Sequence, residues 1–184
     1  MSDRPRLSVA FVSVGSNIEP RQNVVAALAA LMKSTRVIGS STFYQTEPIG
    51  RQGQPAFING VWVIHTEMRP IQVRDDLLRP IEDGLGRRRV EDKFAPRTID
   101  LDLVLYDDLV LDGMDLRLPH KDIERPFVSV PIRELLQADV AKMAQGLRDH
   151  MMRLLPRDQT TSPPGEILED LTYELRQMID RPEI

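Results

Sequence analysis

Cysteine is missing from all 184 residues of the sequence, which removes both a disulfide framework and a thiolate metal site. A bound metal would therefore rest on carboxylates or on His65, His120 and His150, the three histidines of the chain. No apolar run approaches eighteen residues, so no membrane-spanning helix is expected. The opening Met1-Ser2-Asp3-Arg4-Pro5-Arg6 is not followed by a signal-type apolar core, and a cytoplasmic location is expected. Positive charge is not in excess: the net charge of −4 argues against wholesale nucleic-acid binding. Internal repeats and low-complexity blocks are also missing. What remains is a chain that is 41% hydrophobic and 28% charged, the composition of an ordinary globular domain.

The periodicities predict an alternating order of elements. Residues 7–14 are β-rich and break at Gly15-Ser16-Asn17, which predicts a strand ending in a turn. Pro20 opens a helix carrying Val24, Leu28, Leu31 and Met32 at helical spacing. Residues 37–46 and 57–66 read as extended segments. Pro70 starts a second helix, with Val73, Leu77 and Ile81 on one face, which stops near Gly84 and Gly86. Residues 99–106 form the most apolar strand, and Asp107-Asp108 predicts a hairpin turn into Leu109-Val110-Leu111. The order β-α-β-β-α-β predicts an α+β, ferredoxin-like sandwich with two helices on one face of an antiparallel sheet. Additional helices are expected at 131–136 and 139–154. After a Pro/Ser/Thr-rich linker, a last helix carries Leu168, Leu171, Leu175 and Met178 as an apolar stripe. That stripe must pack on its own domain or on a partner subunit.

Four stretches carry possible chemistry. In Pro96-Arg97-Thr98-Ile99-Asp100-Leu101-Asp102-Leu103, strand alternation places Asp100 and Asp102 on one face and Ile99, Leu101 and Leu103 on the other. Two like charges side by side in an apolar strand call for a cation, and hard oxygen ligands favour Mg²⁺. A solvated edge-strand face is the plainer explanation, although Asp is depleted in strands. The arm between Gly86 and Arg97 offers Arg87, Arg88, Arg89, Lys93 and Arg97, a set suited to phosphate charge, though Glu91 and Asp92 dilute it. In Leu118-Pro119-His120-Lys121-Asp122-Ile123-Glu124-Arg125-Pro126-Phe127, His120 and Arg125 are possible phosphate donors and Phe127 offers an aromatic face. Finally, Phe57 and Asn59 place an aromatic plane and a bidentate amide on one strand face, which suits a flat heterocycle. Singly, each of the last three also reads as ordinary loop or core.

Together these stretches resemble the 6-hydroxymethyl-7,8-dihydropterin pyrophosphokinase family. The resemblance runs from about Val9 through Leu135 and includes Phe43-Tyr44-Gln45-Thr46-Glu47-Pro48, Gln54-Pro55-Ala56-Phe57-Ile58-Asn59, Gly86-Arg87-Arg88-Arg89 and Ala95-Pro96-Arg97-Thr98-Ile99-Asp100-Leu101-Asp102. It implies transfer of pyrophosphate from ATP to 6-hydroxymethyl-7,8-dihydropterin, giving AMP and the pterin diphosphate for folate synthesis. It also implies that Asp100 and Asp102 bind two Mg²⁺ ions, and that Arg87 and Arg97 stabilise the transferring phosphoryl group. Phe57 and Phe127 would sandwich the pterin, with Asn59 and groups around Thr46, Pro48 and Ile49 reading its edge. Glu82, Arg89, Leu103, His120, Lys121 and Arg125 would line the ATP site. The sequence departs from the family pattern at Phe94, Ala95 and Lys121 and in the tail beyond about residue 155. The expected organisation is a pyrophosphokinase domain over 1–155 and a linker with a terminal helix over 156–184. The expected partners are the two substrates, with no nucleic acid and no membrane, in a monomer or homodimer. An RNA-binding ferredoxin-like domain fits poorly, because Asp100 and Asp102 would repel phosphate without a metal.

Overall fold

The first strand, β1 (Ser8–Ser16), shows how one sequence feeds two cores. Ala10, Val12 and Val14 face one side of the sheet, whereas Val9 and Phe11 face the other, and all five are buried. The computed structural model describes residues 7–49, 53–92, 95–157 and 163–181. After β1, Glu19 takes a left-handed conformation (φ 41°) and Pro20 opens α1 (Pro20–Ser34) at its first position, where a missing N–H costs nothing. Val24, Ala27, Leu28 and Leu31 form the buried stripe of α1.

The expected extended segment 37–46 is two strands, β2 (Arg36–Ser40) and β3 (Tyr44–Thr46), both antiparallel to β4 (Phe57–Thr66). The break follows from packing. The Phe43 ring lies over Gly60 so closely that a Cβ there would sit 2.5 Å from it. Ser41 bridges the interruption, donating its N–H to the Val61 carbonyl and accepting the Val61 N–H on its hydroxyl, both at 2.9 Å.

The second helical layer runs through α2 (Pro70–Gln72), a π-helical segment Val73–Leu78 and α3 (Arg79–Gly84). Pro80 has no N–H for an α-helical ladder, and the Arg79 N–H reaches back five residues to the Arg74 carbonyl. This widening turns both Leu77 and Leu78 into the core, beside Val73 and Ile81. The chain then enters β5 (Asp100–Tyr106), which pairs antiparallel with β1.

The strand path β5-β1-β4-β3, with β2 also on β4, is the ferredoxin-like arrangement with its second strand split in two. The hairpin expected at Asp107-Asp108 does not form. Asp107 is left-handed (φ 44°), and its carboxylate and N–H bind the N–H and carbonyl of Val9 at 2.8 and 2.9 Å, tying the turn to β1. The next residues instead make a separate ribbon of β6 (Leu111–Asp112) and β7 (Arg117–Leu118).

Two helices differ from expectation. The first begins five residues earlier, as α4 (Pro126–Gln137), because Pro126 supplies a favourable first position. The second is shorter, α5 (Gln145–Leu154), because Asp139 and Lys142 adopt left-handed φ of 49° and 45° and interrupt the helix. The sheet is therefore covered on both faces, not one. α1, the π-helical segment, α3 and a terminal α6 (Glu169–Asp180) take one face, while α4 and α5 take part of the other. A two-residue strand, β8 (Glu166–Ile167), pairs with the outer edge of β3, and Leu171 and Leu175 of α6 are buried in the same cluster as Leu28 and Leu31.

Candidate active site

On the face carrying α4, the three central strands change character part-way along their length. Val9 and Phe11 of β1, Val63 and Val61 of β4, and Val104 of β5 are buried beneath α4 and α5. The next residues of the same facing are Ser13 and Gly15, Asn59 and Phe57, and Asp102 and Asp100. These six form the floor of a cavity of about 290 Å³. The register sets Asp102 opposite Ser13 and Asp100 opposite Gly15, with Asn59 on Gly15's other side. Gly15 is required here by close approach, since a Cβ would lie 3.0 Å from Asn59 Oδ1. Asn59 in turn donates to the Thr46 hydroxyl at 2.7 Å. The walls are Thr46, Glu47 and Ile49 on one side, and His120, Lys121, Asp122, Arg125 and Phe127 on the other.

The alternation read from the sequence at 99–103 is present: Ile99, Leu101 and Leu103 are buried in the opposite core, and both aspartates face the cavity. Asp100 is paired with two guanidinium groups, Arg87 at 3.1 Å and Arg97 at closer range. Arg87 is only 14% exposed, and its Nε and Nη1 are buried without a hydrogen-bond partner among the described residues. Such donors are poised for an anion with several acceptor oxygens. Burial, followed by the charge of Asp100, pushes the Asp102 carboxyl up to about 6, and neighbouring Asp122 adds to this against His120 and Arg87. A half-buried acid raised first by desolvation and then by a neighbouring carboxylate fits a site for an added cation. Asp102, His120 and Asp122 each offer one ligand atom, all lying within 4.8 Å of one another. The donor set is hard oxygen with one imidazole, which suits a divalent ion such as Mg²⁺.

Arg97 is held by the end of β1. Its N–H donates to Asn17 Oδ1 at 2.7 Å, and its carbonyl accepts the N–H groups of Asn17 and Ile18 at 3.1 and 3.2 Å. The Ser16 hydroxyl donates to the Thr98 carbonyl next to it. The guanidinium of Arg97 lies 5.7 Å from the Phe57 ring, and that of Arg125 lies 5.9 Å from the Phe127 ring, so each aromatic wall carries a cation.

Thr46, Ile49, Phe57, Asn59, Arg97, Asp100, Asp102, His120, Lys121, Arg125 and Phe127 are thus brought to one cavity. Pro48, Glu82, Arg87, Arg89 and Leu103 are not among its described walls. Leu103 points into the opposite core, and Arg87 reaches the cavity's edge through Asp100. Glu82 is 4% exposed, lies behind β5, accepts the Leu101 N–H at 2.9 Å and pairs with Arg89. Burial pushes its carboxyl up to about 7. Lys93 and Phe94 lie outside the described residues. Sequence reasoning did not single out Ser13, Glu47, Asp122 or Val128. Ser13 and Gly15 had a legible signal, small residues at period two inside an apolar strand; Glu47 and Val128 had none.

Residues 11–137 match the model of the 7,8-dihydro-6-hydroxymethylpterin-pyrophosphokinase (HPPK) family. The chain is 38% identical over 130 residues to a 2-amino-4-hydroxy-6-hydroxymethyldihydropteridine pyrophosphokinase of Haemophilus influenzae, covering 68% of this chain and 80% of that protein. A protein of the same name from Pseudomonas aeruginosa is 38% identical over 129 residues, covering 68% and 78%. Among solved structures, a Plasmodium falciparum HPPK-DHPS superimposes with a TM-score of 0.55 at 11% identity, over 97% of this chain and 46% of that longer one. That likeness concerns the fold. The family match and the relatives together show that the chain belongs to the 7,8-dihydro-6-hydroxymethylpterin-pyrophosphokinase family.

Proposed function

We propose that this chain transfers the pyrophosphoryl group of ATP to 6-hydroxymethyl-7,8-dihydropterin, releasing AMP, as a step of folate biosynthesis. The observation that carries this reading is the pair Asp100 and Asp102 on one strand face, with Arg87 and Arg97 gathered on Asp100. Asp100 and Asp102 would hold two Mg²⁺ ions, which when bound with ATP supply Lewis-acid neutralisation of the phosphate oxygens. Arg87 and Arg97 exchange their partner, Asp100, for the transferring group and stabilise its developing charge through forked donors. His120, Lys121 and Arg125 bind the remaining phosphate and nucleotide atoms, with Glu82, Arg89 and Leu103 supporting the ATP side. Phe57 and Phe127 enclose the pterin ring, while Asn59, Thr46, Pro48 and Ile49 read its edge. Holding the pterin hydroxymethyl oxygen in line with the β-phosphorus makes the attack effectively unimolecular, and AMP departs on the opposite side.

In this reading the catalytic unit works as a monomer or within a homodimer. Residues 1–155 form the pyrophosphokinase domain in this reading, and 156–184 extend it with a linker and terminal helix. No described helix is long and apolar enough to cross a membrane. We place the reaction in the cytoplasm, without nucleic-acid or membrane partners. The test is AMP formation by purified protein, expected only when ATP, Mg²⁺ and the reduced pterin are all present. Asp102→Asn is expected to abolish turnover while the variant still unfolds cooperatively. AMP release that ignores the pterin, or a fully active Asp102→Asn, refutes the assignment.

A further inference from the structure

The family match ends at residue 137, yet residues 165–167 lie against the strand that borders the cavity. β3 is three residues long and has two edges. One pairs with β4, through Tyr44↔Asn59, Gln45↔Ile58 and Thr46↔Phe57; the other pairs with β8, through Tyr44↔Ile167 and Gln45↔Glu166. The irregular residues just before β3 are also tied to the tail. The buried Phe43 N–H donates to the Thr172 hydroxyl at 2.9 Å, and the Phe43 carbonyl accepts the Leu168 N–H at 2.9 Å. Arg176 donates to the Ser40 carbonyl at 3.2 Å. Gly165 is packed as tightly as backbone allows, since a Cβ there would lie 2.0 Å from the Gln45 carbonyl oxygen and 3.1 Å from Thr46 Cγ2.

We propose that the tail is a positioning device for the substrate wall, with Thr172 and Gly165 setting where Thr46, Glu47 and Ile49 stand over the cavity. This inference rests on the reading that the Thr46–Asn59 side of the cavity takes the pterin. A buried amide such as that of Phe43 must have an acceptor, and among the described residues that acceptor is the Thr172 hydroxyl of the tail. Without the Thr172 hydroxyl the amide must turn toward another partner, and Phe43 leads through two residues to Thr46. Thr46 in turn accepts from Asn59, so a shift at Phe43 reaches both edge-reading side chains. The phosphate side is built from β5, Arg87, Arg97 and the 120–125 segment, which receive no hydrogen bond from the tail among the described residues. The effect is therefore selective for one substrate.

The test compares Thr172→Val, Thr172→Ser and Gly165→Ala in the full chain by calorimetry, with 6-hydroxymethylpterin and with α,β-methylene-ATP plus Mg²⁺. Thr172→Val, which removes the hydrogen bond to the Phe43 N–H, and Gly165→Ala, which drives a Cβ against the Gln45 carbonyl, are each expected to weaken pterin binding about tenfold. The nucleotide analogue should bind within about twofold of wild type, and Thr172→Ser should restore pterin affinity. In turnover the same variants should raise KM for the pterin and leave KM for ATP unchanged. Gly165 lies outside the core, so Gly165→Ala serves if Thr172→Val does not fold. Unchanged pterin affinity in the folded variants overturns the proposal, as does a parallel loss for both ligands, which would indicate general loosening. A wild-type protein that binds nucleotide but no pterin overturns the underlying assignment first, and this inference with it.

Discussion

Replacing Glu82 with glutamine should stabilise the ligand-free protein at alkaline pH, and the gain should vanish in mild acid. Glu82 sits behind β5 with 4% of its surface exposed, and burial raises its carboxyl from 4.5 to about 7. Asp100 adds to the rise, while the Leu101 N–H and the charges of Arg89 and Arg87 oppose it. The native state therefore binds the proton more tightly than the unfolded chain does. Native stability contributed by that proton is fully present below about pH 4.5 and is lost as the pH climbs through about 7. At about 1.4 kcal/mol for each pH unit of separation, the ionised carboxylate costs about 3 kcal/mol above pH 7. Glutamine keeps an oxygen for the Leu101 N–H and removes the charge, but it ends the ion pair with Arg89, which keeps its pair with Asp83. Arg89 is 49% exposed, so that ion pair is a small loss. We expect a net gain of about 1–3 kcal/mol at pH 8, or a melting temperature higher by about 3–10 °C. Urea titrations of both proteins between pH 4.5 and 8, without nucleotide or metal, measure this. A difference that does not change with pH, or a variant less stable than wild type at pH 8, refutes the reasoning.

Two further substitutions probe the site and the tail separately. Arg97→Ala removes one of the two guanidinium groups on Asp100, and turnover should fall roughly 10²–10³-fold through kcat; an effect confined to KM would make Arg97 a binding group only. Leu175→Ala opens a void under α6, where the side chain is fully buried, and should cost about 2–5 kcal/mol in urea denaturation. A loss under about 1 kcal/mol would mean that α6 is not docked on the core.

The central elements were legible in the sequence because each depends on a local period. Val24, Leu28 and Leu31 return at helical spacing, and β5 alternates aspartate with leucine because one face meets a core and the other does not. The features that escaped are set by contacts between distant residues. The break between β2 and β3 depends on Phe43 meeting Gly60 and Thr172, and the failed hairpin at Asp107 depends on Val9, 98 residues away. Asp139 and Lys142 interrupt a helix in left-handed conformations, which aspartate tolerates but lysine does not announce. Sequence likewise could not show that α4 and α5 close the second face of the sheet.

That second face explains why the site lies where it does. Along β1, β4 and β5, residues of one facing run Val9, Phe11, Ser13, Gly15; then Val63, Val61, Asn59, Phe57; then Val104, Asp102, Asp100. All three strands turn from large apolar residues to Ser13, Asn59 and Asp102 at neighbouring positions in the sheet register, where Ser13 lies between Val61 and Asp102. An apolar cover cannot continue past that line without burying the charged groups of Asp100 and Asp102, so the helices stop and a cavity begins. The switch is written three times in segments far apart in sequence, and it becomes one boundary only when the strands align. A local pattern could therefore suggest metal ligands at Asp100 and Asp102, whereas the shape of the site around them depends on β1 lying between β4 and β5.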